Sequence, residues 1–306
     1  MNKYRKDSQE WIDLLKKNNL SITNEEKFKW YIDNYSFFNL VKRYSVPFYL
    51  NEDIERAFYN KNSTSQMIID LFNLDRKLSA LILSDILSIE KKLSTLICKE
   101  IIDSNSDNIS DLKINFFYDL KKEDFYNIFP KIKDRVIEET DKIEYLKNRL
   151  FKNEKSKKKY IWECFLEFNF GQICEIFSYL STDSKKRIIA SFAKFKNMTS
   201  FHFEFQKMIE LLNYVRNMIC HNHPIYNIRH KKYRNYEKNE KSIISLYIKI
   251  FSKEISKIKL FDIINIVVCI CPHKTDLYNL AKDRFDKLFS DHKENFSQNI
   301  KKIINY

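Results

Sequence analysis

Residues 71–102 read LFNLDRKLSALILSDILSIEKKLSTLICKEII, and this stretch decides the fold of the chain. Its apolar side chains recur at steps of three and four residues, which is typical of a helix that buries one face. The series consists of Leu71, Leu74, Leu78, Ile82, Ile86, Ile89, Leu93, Leu96 and Ile101. Ser63 and Gln66 form a candidate capping box at its start. The pattern therefore predicts a long helix over residues 65–102.

A second periodic run covers residues 201–221 and leads into the stretch LLNYVRNMICHNHPIYN at residues 211–227. Its apolar positions are Phe201, Phe205, Met208, Leu212, Val215 and Ile219. Pro224 should end this helix, because the residue before a proline resists the α conformation. His221 is therefore predicted to lie in or just past the last helical turn.

The composition also favours helices. The 306 residues include one glycine and four prolines, too few turn-forming residues for many hairpins or βα loops. Hydrophobic residues make up 44% of the chain, with 25 Phe and 18 Tyr, which is enough for a substantial core. We therefore predict an all-α protein of one large or two small domains.

The formal net charge of +13 indicates affinity for polyanions, either nucleic acid or an anionic membrane surface. The chain is also rich in Lys, Asn and Ile, a bias that an AT-rich genome produces without selection for binding. The charge therefore carries less weight here than it would in a chain of ordinary composition.

Several classes of site and location are disfavoured by the sequence. The six cysteines contain no CxxC pair and indicate free thiols in a reducing compartment. Cys269, Cys271 and His273 stand too close together for a usual zinc site, so no metal or cofactor is expected. The first ten residues lack the apolar segment of a signal peptide, and the longest apolar run, of about ten residues, is too short for a bilayer. A cytoplasmic protein without a membrane partner is predicted.

The candidate catalytic residues are Arg216, Asn217 and His221. On a helix, Asn217 and His221 differ by about 40° and Arg216 and His221 by about 140°, so Arg216 lies at the edge of the face that the other two share. A helix C-terminus favours a protonated imidazole. A cationic histidine beside an arginine suits a site that holds a phosphate and protonates a leaving oxygen.

The pattern around these residues resembles the Abi-like phage abortive-infection proteins, whose motif reads V-R-N-x-x-x-H followed by an aromatic–Asn pair. The matching residues are Val215, Arg216, Asn217, His221, Tyr226 and Asn227. The resemblance extends to the segment Leu74–Leu78 (LDRKL) and to Trp162, Glu167, Phe170 and Gly171. It covers roughly residues 10–290. Abi-like proteins belong to the HEPN superfamily, in which R-x4–6-H marks metal-independent ribonucleases.

The resemblance implies a HEPN-like helical bundle over residues 61–230, with helical extensions at residues 1–60 and 231–306. It implies a metal-independent endoribonuclease of a phage-defence or toxin system, active as a homodimer. In it, His221 would be the acid/base group, Arg216 would stabilise phosphate charge and Asn217 would position either. An RNA or protein antitoxin would restrain the enzyme. The alternative is a catalytically inactive helical RNA-binding or assembly module.

Three further expectations concern the surroundings of the motif. Residues 160–180 are apolar on nearly all sides and are predicted to form one buried central helix, with Glu167 paired to a cation of the motif helix. Arg229, Lys231, Lys232 and Arg234 are interleaved with tyrosines in the tract RHKKYRNY at residues 229–236, which suits RNA contact, although a plain solvated loop is the alternative. Relatives carry His-Ser-Arg after the catalytic histidine, whereas this chain has Asn222, His223 and Pro224. Either His223 or Arg229 would then replace the arginine.

Overall fold

A computed structural model describes residues 7–50, 58–104, 107, 160–192, 195, 201–228, 236–252, 257–271, 276–292 and 294–304. This part of the chain is helical, and its backbone forms isolated bridges, such as that between Ser21 and Thr64, in place of strands. The predicted all-α fold is confirmed.

The helices are named in chain order. They are α1 (Ser8–Lys17), α2 (Glu25–Tyr35), a π-helical turn (Phe38–Lys42), a 3-10 turn (Val46–Phe48), α3 (Ser65–Ser104), α4 (Ile161–Phe165), α5 (Phe170–Tyr179), α6 (Thr182–Ala190), α7 (His202–Cys220), α8 (Tyr236–Phe251), α9 (Leu260–Ile270), α10 (Leu277–Ser290) and α11 (Glu294–Ile304).

The helix α3 is the centre of the fold. It has 40 residues and is about 60 Å long at 1.5 Å per residue. Its predicted apolar positions are buried, except that Leu96 is half-buried. It packs against α2, the four helices α4–α7, and α9 and α10. Helices from the N-terminal, middle and C-terminal parts of the described chain therefore pack against α3.

The predicted capping box of α3 is wrong. The helix begins at Ser65, and the Thr64 hydroxyl accepts the backbone N–H of Met67 at 3.3 Å. Ser63 lies outside the helix, where its carbonyl accepts the N–H of Ser21 at 3.0 Å. Gln66 donates to Asp70 one turn along the helix at 2.7 Å. The side-chain cap of α3 is therefore Thr64, one residue after the predicted position.

The prediction of one central helix over residues 160–180 is also wrong, because the segment is divided into α4 and α5. Asn169 caps α5: its Oδ1 accepts the N–H of Gln172 at 3.1 Å, and the Gln172 side chain accepts the N–H of Asn169 at 3.1 Å. This reciprocal capping box stabilises a helix start in the middle of the apolar run. The Asn-x-x-Gln spacing was a visible signal for it.

Gly171 lies in the first turn of α5, where that helix approaches α7. A Cβ added to it would stand 3.2 Å from Asn169 Oδ1 and 3.6 Å from Asn213 Nδ2. Asn213 precedes Arg216 by one helical turn. Gly171 therefore lies where the start of α5 meets the motif helix.

The N-terminal and C-terminal segments pack on the same core. Trp11 of α1 stacks on Phe37 with ring centroids 3.8 Å apart, and the π-helical turn contacts α3. At the other end, α9 and α10 pack on α3, and α11 contacts the 3-10 turn. The division of the chain at residues 60 and 230 stays a prediction. Among the described helices, none has the length and apolar character needed to cross a membrane.

The cysteines differ in burial. Cys164 and Cys174 are buried, Cys98, Cys269 and Cys271 are half-buried, and Cys220 is exposed; all six thiols are free. The expectation of free thiols is confirmed, but Cys220 lies at the end of the motif helix rather than in the core.

Candidate functional site

The end of α7 places His221 at the C-cap of the helix, as the sequence predicted. Beyond it, the N–H of His223 donates to the carbonyl of Met218 at 2.9 Å, and the N–H of Asn222 donates to that of Ile219 at 3.0 Å. Asn222 has a φ of 56°, in the left-handed region that asparagine tolerates better than most residues. These are the bonds of a Schellman motif. Asn222 is therefore at a position that closes the helix.

The three predicted catalytic residues lie at this end of α7, on its solvent side. Asn217 and His221 are exposed and Arg216 is half-buried, while Val215 and Ile219 are buried in the core. Arg216 Nη1 donates to Asn217 Oδ1 at 3.2 Å. The structure thus brings Arg216 and Asn217 into direct contact and sets His221 one turn beyond Asn217.

Arg216 also has a buried side. Its Nε is buried and has no hydrogen-bond partner. The Oε2 atom of Glu90, on α3, is also buried and also has no hydrogen-bond partner. Burial raises the pKa of Glu90, while the positive charge of Arg216 and the backbone amide of Phe170 act to lower it. The charge of Arg216 therefore acts on the half-buried carboxyl group of Glu90.

The expected pairing of Glu167 with a cation of the motif helix stays a prediction. Glu167 is exposed, and it lies in the short connection between α4 and α5 that the Asn169 cap creates. The carboxylate on which the charge of Arg216 acts belongs to Glu90, on another helix. Sequence reasoning missed Glu90 because its proximity to Arg216 depends on how α3 packs against α7.

Asp75 of α3 binds the loop that follows the motif. Its carboxylate accepts the N–H of Ile225 at 3.1 Å, the N–H of Tyr226 at 2.7 Å and the hydroxyl of Tyr44 at 2.8 Å. Asp75 is 1% exposed. Burial raises its pKa to about 7, and the three donors oppose that rise. The hydrogen-bond donors to Asp75 are therefore two backbone amides and a phenol.

The segment around Arg43 and Tyr44 completes the attachment of the loop. The rings of Tyr44 and Tyr226 stack with centroids 5.4 Å apart. The Tyr226 hydroxyl donates to the Arg43 carbonyl at 2.7 Å, and Arg43 Nη1 donates to the Asn222 carbonyl at 2.9 Å. Asp75, Tyr44 and Arg43 therefore fix the chain immediately after His221. Tyr226, the aromatic residue of the motif, contacts all three of these residues.

Other candidate residues stand apart from this network. Arg76 is half-buried and makes no hydrogen bond or ion pair with any described residue, and its charge acts on the Asp75 carboxylate. The predicted RNA-binding tract of Arg229, Lys231, Lys232 and Arg234 lies outside the described residues, as does His273. In the described ranges, no three His, Cys, Asp or Glu side chains are grouped so as to hold a metal ion.

A comparison with protein families assigns the chain. The model of a family described as Abi-like protein matches residues 30–227, which is more than half of the chain. The matched range includes Arg43, all of α3 and the motif through Asn227. Neither the curated proteins nor the solved structures give a match. With the family model covering the whole attachment around His221, the chain belongs to the Abi-like protein family and is a protein of the abortive-infection type.

Proposed function

We propose that this Abi-like protein is a metal-independent endoribonuclease with a HEPN-type site at Arg216, Asn217 and His221. The observation that carries the proposal is the end of α7, where an exposed histidine follows a half-buried arginine whose charge acts on Glu90. The loop beyond it is held by Asp75, so the histidine is presented on a fixed backbone. Such preorganised charge is the main catalytic device for a phosphate substrate.

The chemistry needs few groups because RNA carries its own nucleophile. The 2′-oxygen forms a bond to the adjacent phosphorus, its proton passes to a base, and the bond from phosphorus to the 5′-oxygen breaks as that oxygen takes a proton. His221 acts as an acid/base group, Arg216 neutralises the charge of the crowded phosphorane, and Asn217 orients either His221 or the phosphate.

One imidazole cannot accept the 2′-proton and donate a different proton to the 5′-oxygen in the same step. A second acid/base group is required, and we propose that it is His221 of another copy in a homodimer. The cleavage rate per chain is therefore expected to fall when the protein is diluted below its dimerisation constant. Light scattering and cleavage assays over one dilution series check this. A monomer that cleaves at an undiminished rate per chain would contradict the shared site.

The tract Arg229, Lys231, Lys232 and Arg234 is proposed to bind the RNA backbone. Replacing all four with glutamine is expected to weaken binding equally for unrelated sequences. Each lost contact to single-stranded RNA should lower the slope of log K against log salt by about 0.7. Titrations at several salt concentrations measure this. An unchanged slope would show that these four side chains do not contact RNA phosphates.

The family supports a proposed biological role. An endoribonuclease of the abortive-infection type would act in phage defence or as a toxin, by cleaving RNA of its own cell. Such an enzyme needs restraint, which we propose is provided by an antitoxin, either a structured RNA or a protein.

The test is a cleavage assay with purified protein, RNA and a DNA strand of the same sequence, with and without EDTA. Cleavage of RNA alone, unaffected by EDTA, is the expected result, because DNA lacks the 2′-hydroxyl and the proposed step uses no metal. Cleavage of DNA, or loss of RNA cleavage in EDTA, would overturn the mechanism.

The second candidate is a catalytically inactive helical module that binds RNA or assembles with another protein. The observation favouring it is that residues 222–224 form a helix-closing turn and contain no arginine. A purified protein that binds RNA tightly and leaves it intact would establish this alternative.

A further inference from the structure

Arg43 is the cation that the fold attaches to the turn after His221. It comes from the segment between the π-helical turn and the 3-10 turn, 179 residues away in sequence. Its Nη1 donates to the carbonyl of Asn222, the residue next to His221, at 2.9 Å. No residue pattern around position 43 indicates this, because the contact depends on how the N-terminal segment packs against α3.

Within the described ranges, Arg43 has no ion-pair partner. Its guanidinium is half-buried, and no carboxylate of the described residues lies within ion-pair distance. The bond to the Asn222 carbonyl uses one of the five N–H groups of the guanidinium. A guanidinium in this state retains both its charge and most of its donors for an anion.

The backbone of Arg43 is also held by a hydrogen bond. The Tyr226 hydroxyl donates to the Arg43 carbonyl at 2.7 Å, and the next residue, Tyr44, donates to buried Asp75 at 2.8 Å. The stacked rings of Tyr44 and Tyr226 close the attachment. Arg43 is thus held beside the end of α7 before any ligand arrives, which lowers the entropy cost of forming a phosphate contact.

We propose that Arg43 is a phosphate-binding residue of the site: its guanidinium contacts an RNA phosphate next to the one on which Arg216 and His221 act. The proposal rests on the ribonuclease function proposed above and adds a second cation to it, from the N-terminal segment. Arginine suits this task because its planar donors match phosphate oxygens in pairs. Arg43 would supply the positive charge that residues 222–224 lack.

The competing explanation is that Arg43 only closes the helix, since a cation near a helix C-terminus is stabilising by itself. Three variants separate the two roles. Arg43→Gln retains a side-chain donor for the Asn222 carbonyl but removes the charge, whereas Arg43→Lys retains the charge. Arg187→Gln is the matched control, because it removes one arginine charge at an exposed ion pair with Glu100. Glu100 lies 25 residues from Asp75, about 38 Å along α3.

The experiment measures binding of a 2′-O-methyl RNA oligonucleotide, which cannot be cleaved by 2′-attack, at several salt concentrations. Thermal unfolding of each variant is recorded in parallel. We expect Arg43→Gln to lower the slope of log K against log salt by about 0.7, the loss of one single-strand phosphate contact. Arg43→Lys should retain the slope, although with weaker binding. Arg187→Gln should match the wild-type protein.

The outcomes are distinct. If Arg43→Gln binds the oligonucleotide with the same slope and affinity as Arg187→Gln, Arg43 is a helix cap and the inference is overturned while the ribonuclease function stands. If Arg43→Gln and Arg43→Lys lose binding and thermal stability to the same extent, the charge is not the cause and the inference again fails. If the wild-type protein does not bind the oligonucleotide, the proposed RNA substrate and the role of Arg43 fall together.

Discussion

Replacing His221 with alanine is expected to lower the rate of RNA cleavage by about 10² to 10⁴, the usual effect of removing an acid/base group. Folding and RNA binding should change little. His221 is exposed at a helix end, where its loss removes at most an interaction of about 1 kcal/mol with the helix dipole. Single-turnover cleavage, thermal unfolding and oligonucleotide binding measure the three properties.

The matched control for this substitution is His202→Ala. His202 begins the same helix, about 28 Å from His221 at 1.5 Å per residue, and should leave cleavage close to the wild-type rate. Arg216→Ala should also stop cleavage, but it should weaken RNA binding as well, because its charge acts on the bound phosphate. Asn217→Ala should be milder than either. A folded His221→Ala protein that still cleaves RNA at the wild-type rate would remove His221 from the mechanism.

The second large effect is expected at Asp75. Asp75→Ala leaves the N–H groups of Ile225 and Tyr226 and the Tyr44 hydroxyl without their acceptor. Each buried polar group left unpaired costs about 1–3 kcal/mol, so the free energy of unfolding should fall by about 3 kcal/mol or more. Urea denaturation measures this. Asp75→Asn should be milder, since its amide oxygen still accepts from the two backbone groups.

The free energy of unfolding should also depend on pH because of Asp75. Burial raises its pKa in the folded protein to about 7, above the value of about 3.9 in an unfolded chain. Between these values the folded protein binds a proton that the unfolded chain lacks, so its stability falls as the pH rises.

The contribution of Asp75 to this slope is at most about 1.4 kcal/mol per pH unit. Other groups titrate over the same range, so the measured quantity is the difference between wild-type protein and Asp75→Asn, taken at pH 5 and at pH 7.5. Asp75→Asn should lose less stability over this interval. An identical loss in both proteins would show that Asp75 is ionised throughout.

The sequence predicts the elements that depend on local periodicity. The α3 stripe from Leu71 to Ile101 and the end of α7 at His221 follow from apolar spacing and from Pro224, and the structure confirms both. Each is a property of one helix and its immediate neighbours in the chain.

Other features could not be read from spacing because they arise between distant segments. Glu90 faces Arg216 only through the packing of α3 on α7, and Arg43 reaches Asn222 across 179 residues. Asp75 accepts hydrogen bonds from Tyr44 and from the loop at Ile225, and these partners also come together only through tertiary packing.

The break before α5 was mispredicted for a different reason: two local sequence signals compete there. The apolar run from Tyr160 to Leu180 favours one continuous helix, whereas the Asn169–Gln172 pair favours a new start. The capping box gives hydrogen-bond partners to backbone N–H groups at a helix start, which the apolar run alone cannot do. A new helix therefore begins at Phe170.

The most direct test of the central claim is the chemistry of the ends that cleavage leaves. Mass spectrometry of a single RNA oligonucleotide after incubation with the wild-type protein identifies them. Attack by the 2′-oxygen predicts a 2′,3′-cyclic phosphate on one fragment and a 5′-hydroxyl on the other, and both should form about 10² to 10⁴ times more slowly with His221→Ala. Fragments that carry a 5′-phosphate and a 3′-hydroxyl would require water as the nucleophile and would contradict the proposed site.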